Sequence, residues 1–94
     1  MNYFVYILTN KIHTVLYIGI TNNLVKRVWE HKNKVVEGFT KQYNVDKLVY
    51  YELFDNPIDA IEKENQLKKW KRGWKERIIK EFNPEWKDLY DELI

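Results

Sequence analysis

The 94-residue chain contains no cysteine, one methionine, two prolines and three glycines. Without cysteine there are no disulfide frameworks, thiolate zinc sites, iron–sulfur clusters or cysteine nucleophiles, so any metal has to sit on oxygen or on histidine nitrogen. Long apolar runs are absent too. The longest, Tyr3 to Leu8 and Val15 to Ile20, fall far below the roughly 20 residues that span a bilayer, and no basic-then-apolar leader opens the chain. These shortages point to a cytoplasmic protein with no membrane partner. No Pro/Gly/Ser linker, low-complexity tract or internal repeat divides the chain, so one domain over residues 1–94 with one hydrophobic core is expected.

What is present suits a folded protein. Apolar residues make up 45% of the chain and aromatics 16%, well above the content of a disordered segment. The net charge is only +2, but its distribution is uneven. Residues 1–51 carry a net +4, 52–62 a net −4, 63–80 a net +6 and 81–94 a net −4. Lys68-Lys69-Trp70-Lys71-Arg72-Gly73-Trp74-Lys75 interleaves cations with aromatics, a pattern that neutralises phosphates while offering flat stacking faces. The same pattern also describes a solvated helix whose tryptophans belong to the core. Trp70, Trp74 and Trp86 are accordingly read either as packing of the later helices onto the sheet or as a docking surface for a protein partner.

The β-branched and aromatic runs Tyr3–Thr9 and Val15–Thr21 bracket a polar turn and read as a β-hairpin. Thr21-Asn22-Asn23 supplies capping side chains, and Leu24, Val25, Val28 and Trp29 recur at helical spacing, which predicts a helix from Leu24 to Lys34. Val36 to Lys47 shows no sustained period. Leu48–Phe54 is a third strand, and Asn56-Pro57 starts a helix predicted to run to Arg72, where Gly73 ends or bends it. A further helical piece covers Trp74 to Phe82, and Asn83-Pro84 announces a short acidic helix over Glu85–Leu93. The order is β-β-α-β-α-α-α, an α/β (α+β) chain with a small antiparallel or mixed sheet and helices packed on it.

Several side chains stand out chemically. A four-residue hairpin loop, Asn10 to His13, sets Thr9 against Thr14 and Tyr6 across from Tyr17, both phenols leaving one face; a five-residue loop would invert every side chain. Such a pair either stabilises the sheet or serves a site. Gly19, on the Tyr17 face, weakens a strand interior and marks close approach of a ligand or another backbone. Arg27 and His31 share a helix face expected to lie opposite the core stripe: a guanidinium fork suited to phosphate oxygens and an imidazole suited to proton transfer, or else two solvated side chains with Arg27 paired to Glu30. His13, in the hairpin loop, has no partner suggested by sequence and reads as a surface residue. Glu64 is the anomaly. At about 100° per residue with Ile61 at zero, Ala60 lies near about −100°, Leu67 near about −120° and Glu64 near about −60°, which sets a carboxylate inside the apolar arc. It is there either as the ion-pair partner of Lys68 or as a metal ligand or acid/base group.

Taken together, Val5-Tyr6-Ile7, Tyr17-Ile18-Gly19, Asn23-Leu24-Val25-Lys26-Arg27, His31 and Glu64 within Glu64-Asn65-Gln66-Leu67-Lys68 resemble the GIY-YIG nuclease superfamily. The likeness runs from Tyr3 to about Ile79. It is strongest to the small single-domain members and extends to the nuclease domain of the bacterial excinuclease. The first triplet, Phe4-Val5-Tyr6, keeps the Tyr but lacks the Gly and Ile of the name. Many members carry an Asn about a dozen residues beyond the metal-binding Glu, where this chain has Lys75 or Glu76; the nearest downstream Asn is Asn83.

The resemblance implies a three-stranded antiparallel sheet flanked by helices and an endonuclease that hydrolyses DNA phosphodiester bonds, in repair or recombination, with one divalent cation, Mg2+ or Mn2+. Under it Glu64 holds the metal and Arg27 binds the scissile phosphate. Tyr6 and Tyr17 hydrogen-bond the attacking water and phosphate, and either Tyr6 or His31 accepts the proton. Gly19, Thr40, Lys41, Lys68, Lys71 and Arg72 are the expected nucleic-acid contacts, and a protein partner or homodimer is expected to supply targeting. The competing reading is a non-catalytic nucleic-acid-binding module of the same fold.

Overall fold

The computed structural model describes residues 2–94. In chain order the elements are β1 (Tyr3–Thr9), β2 (Leu16–Thr21), α1 (Leu24–Lys32), α2 (Phe39–Gln42), β3 (Lys47–Phe54), α3 (Pro57–Lys69), α4 (Arg72–Phe82) and α5 (Tyr90–Leu93). β1 lies in the middle of a three-stranded sheet of order β2-β1-β3, antiparallel to both neighbours. The expected fold class is the observed one.

The period of two along β1 divides the core. Val5 and Ile7 point to one face, where they pack with Ile18, Val49 and the inward residues Ala60, Leu67 and Ile79 of α3 and α4. Tyr6 and Leu8 point to the other, against Leu24 and Val28 of α1, with Val45, Leu48 and Leu89 closing that layer. A central strand covered on both faces reads as a continuous apolar run, as Tyr3–Leu8 does. The capping signals act as expected: the Asn23 side chain accepts from Lys26 N at 3.1 Å, and Asn56 accepts from Asp59 N at 2.9 Å ahead of Pro57 in the first turn of α3.

The hairpin register differs from the expected one. Thr9 pairs with Leu16, Tyr6 with Gly19 and Leu8 with Tyr17, so six residues, not four, connect the strands. Asn10 is the reason: its Oδ1 accepts from Thr14 N at 2.8 Å and Val15 N at 3.1 Å, folding two further residues into the loop, while Thr9 Oγ1 donates to Val15 O at 2.7 Å. The slip is by two residues, which preserves side-chain parity, and Tyr6 and Tyr17 still share a face with ring centroids 6.5 Å apart.

Helix boundaries differ as well. The stretch without a period contains the one-turn α2 after Gly38, whose φ is 98°. α3 ends at Lys69, because Trp70 and Lys71 are extended, and Gly73 falls inside the first turn of α4 instead of ending a helix. Trp70 is half-buried against the core, and holding that indole there sets the break. The acidic tail is helical only over Tyr90–Leu93, because Asp88 and Leu89 dock on β3. Leu89 N donates to Leu48 O at 2.8 Å, and Asp88 Oδ1 accepts from Leu48 N at 3.3 Å while its Oδ2 receives the Lys32 ammonium. The tail thereby covers the start of an edge strand. His13 is not a lone surface residue: its ring stacks on Trp86 at 4.7 Å and its Nε2 lies 2.9 Å from Lys47 Nζ.

Candidate active site

On α1 the buried stripe is Leu24, Val28 and His31, at i, i+4 and i+7, and it faces Tyr6 and Leu8. The sequence pattern had Val25 and Trp29 in that stripe and His31 opposite it. The structure reverses this. Trp29 is 50% exposed and His31 only 2% exposed, because the imidazole meets the Tyr6 phenol at one ring nitrogen and Thr40 at the other, whereas an indole has a single N–H and no acceptor. Arg27, flanking the stripe, keeps its guanidinium partly in water and contacts Glu30 at 3.4 Å.

Four residues meet over β2. Tyr6 Oη lies 3.4 Å from His31 Nε2, and the Arg27 guanidinium is near enough to favour the ionised form of the same hydroxyl. The Tyr17 ring stands 5.6 Å from the His31 ring, centroid to centroid. Gly19 makes the arrangement sterically feasible: a Cβ there would sit 2.4 Å from Tyr6 Oη and 2.5 Å from its Cζ. The close approach its sequence position announced is therefore that of a side chain within the chain itself. Thr40, on α2, is 5% exposed and its Oγ1 lies 3.0 Å from His31 Nδ1, so both ring nitrogens are engaged. Sequence could not show that partnership, because nothing local links positions nine apart across an aperiodic loop.

Burial dominates the electrostatics. It pushes the Tyr6 phenol up to about 12, with Arg27 acting the other way. It holds His31 down to about 4, reinforced by the neighbouring Arg27 charge and opposed by Glu30. At neutral pH the phenol is protonated and the imidazole neutral, so a hydroxyl donor and a nitrogen lone pair lie side by side.

Glu64 stands on α3, which packs on the opposite sheet face and runs across all three strands. Its carboxylate acts electrostatically on Tyr6, its side chain is 15% exposed, and Lys68 Nζ lies 3.4 Å from Oε2. The ion-pair partner foreseen for Glu64 is thus in place. Among the described residues no group of three or more His, Cys, Asp or Glu converges as a metal cage. A shallow polar hollow of about 360 Å³ opens beside Arg27, lined by Ile20 to Asn23, Lys26, Arg27 and Glu30.

The expected nucleic-acid contacts are placed differently from one another. Lys71 is exposed on the outer surface, Lys41 contacts Glu37 at 3.2 Å, and Thr40 is buried beneath His31. Arg72 is spent on structure: it donates to Thr14 O at 2.9 Å, to His13 O and to Glu76 at 2.8 Å, tying the start of α4 to the β1–β2 loop. Asn83 lies outside the cluster, its amide donating to Val49 O at 3.2 Å and Lys87 O at 2.8 Å.

This geometry meets its relatives in sequence. The GIY-YIG catalytic domain family matches residues 2–78, and the chain belongs to this family of nucleases. Within it the chain is similar to UPF0213 proteins. It is 43% identical over 79 residues to one from Clostridium perfringens, covering 84% of this chain and 83% of that one. A second, from Syntrophus aciditrophicus, is 40% identical over 83 residues, with 87% and 93% covered. The solution NMR structure of UPF0213 protein BH0048 from Bacillus halodurans superposes with a TM-score of 0.60 at 25% identity, over 94% of this chain and 93% of that one. No helix among the described residues is long and apolar enough to cross a membrane.

Proposed function

We propose that the chain is a divalent-metal-dependent endonuclease that hydrolyses DNA phosphodiester bonds in the cytoplasm, in repair or recombination. The observation that carries the reading is the Tyr6 hydroxyl 3.4 Å from the buried His31 Nε2, with the Tyr17 ring against the same imidazole and the Arg27 charge acting on the phenol. GIY-YIG nucleases generally use a divalent metal, and Glu64 fits as its holder: a single carboxylate, mostly withdrawn from water and paired with a half-exposed lysine, is the donor set a hard cation takes when waters and phosphate oxygens complete its shell. One Mg2+ or Mn2+, when bound, supplies positive charge that polarises the phosphate.

The remaining chemistry belongs to the side chains. Arg27, already turned toward the reacting hydroxyl, binds a non-bridging phosphate oxygen and stabilises the charge that builds there. Tyr6 Oη orients the attacking water and takes its proton as its own proton passes to His31 Nε2. His31 can accept because burial keeps it neutral, and Thr40 holds the ring by receiving Nδ1–H. Tyr17 hydrogen-bonds the phosphate from the other side of the His31 ring. The P–O bond opposite the water then breaks, and the leaving oxygen takes a proton from solvent.

Glu64→Gln tests the reading. The swap keeps size and hydrogen bonding and removes the charge, so cleavage of nicked, branched and plain duplex DNA with Mg2+ or Mn2+ is lost while melting temperature and DNA affinity hold. The Lys68 contact favours a second reading, a nucleic-acid-binding module in which Glu64 is only an ion-pair partner. On that account the substitution costs about 1 kcal/mol or less and no metal-dependent cleavage is seen in the parent chain either.

A further inference from the structure

Resting on the nuclease reading, the surface of α4 points to the form of DNA that is bound: we propose that the exposed Trp74 indole, with Lys71 and Arg77 beside it, is a stacking platform for an unpaired segment of a DNA strand. Trp74 is 54% exposed, whereas Trp70 and Trp86 pack against the core, so the structure separates one tryptophan of the basic stretch from the structural ones. Lys71, Gly73, Trp74 and Arg77 line an open hollow of about 400 Å³, and nothing lies within 4 Å of where a Gly73 Cβ would be. The Arg77 guanidinium stands 5.6 Å from the Trp74 ring centroid, covering part of the indole and leaving flat surface free.

Charge selects the occupant. Residues 63–80 carry a net +6, and Lys69, Lys71, Lys75 and Lys80 make no ion pair among the described residues, while Lys32, Lys34, Lys41, Lys63 and Lys87 each do. Arg77 also contacts Glu81 at 3.2 Å, so the free charge in the hollow is Lys71, and an unpaired ammonium beside a half-exposed indole complements a phosphodiester chain with a base free to stack, since every base has a π-face and duplex bases do not expose theirs. Arg72 ties the start of α4 to the loop of the hairpin whose second strand bears Tyr17.

The test is fluorescence anisotropy on the full chain with chelator present, using labelled oligo-dT, oligo-U and a fully paired duplex of equal length. Trp74→Ala is expected to weaken oligo-dT binding about tenfold, the loss of one stacked base, and to leave duplex binding unchanged. Trp74→Phe should recover most of it. Lys71→Ala, which keeps the indole, should lower oligo-dT affinity and flatten its salt dependence by about one phosphate. Unchanged oligo-dT affinity in Trp74→Ala, equal losses on strand and duplex, or a loss confined to oligo-U would overturn the proposal. So would a dimer in sedimentation that Trp74→Ala dissolves. Cleavage is read separately: an active Glu64→Gln chain removes Glu64 from the metal and a parent chain that does not cleave sinks the nuclease, while the anisotropy result stands in either case, and the reverse.

Discussion

Tyr6 occupies the space that a side chain on Gly19 would need. The two are cross-strand partners, and a Cβ on the glycine would come within 2.4 Å of the phenol oxygen and 2.5 Å of its Cζ. Because Tyr6 is buried and touches Tyr17, His31 and Arg27, its ring cannot swing aside cheaply. Gly19→Ala should therefore cost about 1–3 kcal/mol in chemical denaturation and lower cleavage further than the stability loss explains. A variant as stable and active as the parent would show that the ring is free to move.

Thr40 acts through His31. Thr40→Val keeps the shape and removes the oxygen, leaving Nδ1 without a partner in a buried site, which should cost about 1–3 kcal/mol. The 15N shifts of His31 should then report mixed tautomers where the parent shows one, and Thr40→Ser should restore the single form. A parent-like His31 spectrum in Thr40→Val would remove Thr40 from the site.

Acid should destabilise the protein through His31. The unfolded chain takes the proton near pH 6.5, while the folded one resists it down to about 4, because burial and Arg27 disfavour the cation. Between these values the unfolded state binds more protons, so the contribution is whole above about pH 6.5 and is lost as pH falls toward 4, up to about 3 kcal/mol in all. Urea melts at a series of pH values should show this slope, and His31→Gln should flatten it.

Arg27→Ala should lower kcat by about a hundredfold or more, since a donor aimed at developing phosphate charge is lost. DNA affinity should fall as well, the guanidinium being partly open to water beside the polar hollow. Arg27→Lys should recover affinity better than rate, because an ammonium supplies charge without the fork. Equal rates for Arg27→Ala and the parent would exclude the residue from the chemistry.

Much of this protein is decided locally and so can be read from the chain. The alternation of Tyr3–Leu8, the caps at Asn23 and Asn56 and the proline at 57 each act within a few residues, and they suffice for the strands, the starts of α1 and α3 and the fold class. Parity protects the face shared by Tyr6 and Tyr17 even though Asn10 lengthens the hairpin loop by two residues. Glu64 in an apolar arc is likewise visible from spacing alone. What the chain does not encode locally is which member of an amphipathic stripe the neighbouring layer accepts. His31 displaces Trp29 from the interior only because a phenol and a threonine hydroxyl from distant segments supply hydrogen bonds at both ring nitrogens. Likewise, Trp70 and Trp86 are half-buried and Trp74 is left open by where α4 breaks away from α3. Those outcomes depend on desolvation and pairing across elements, which come into being only once the layers have packed.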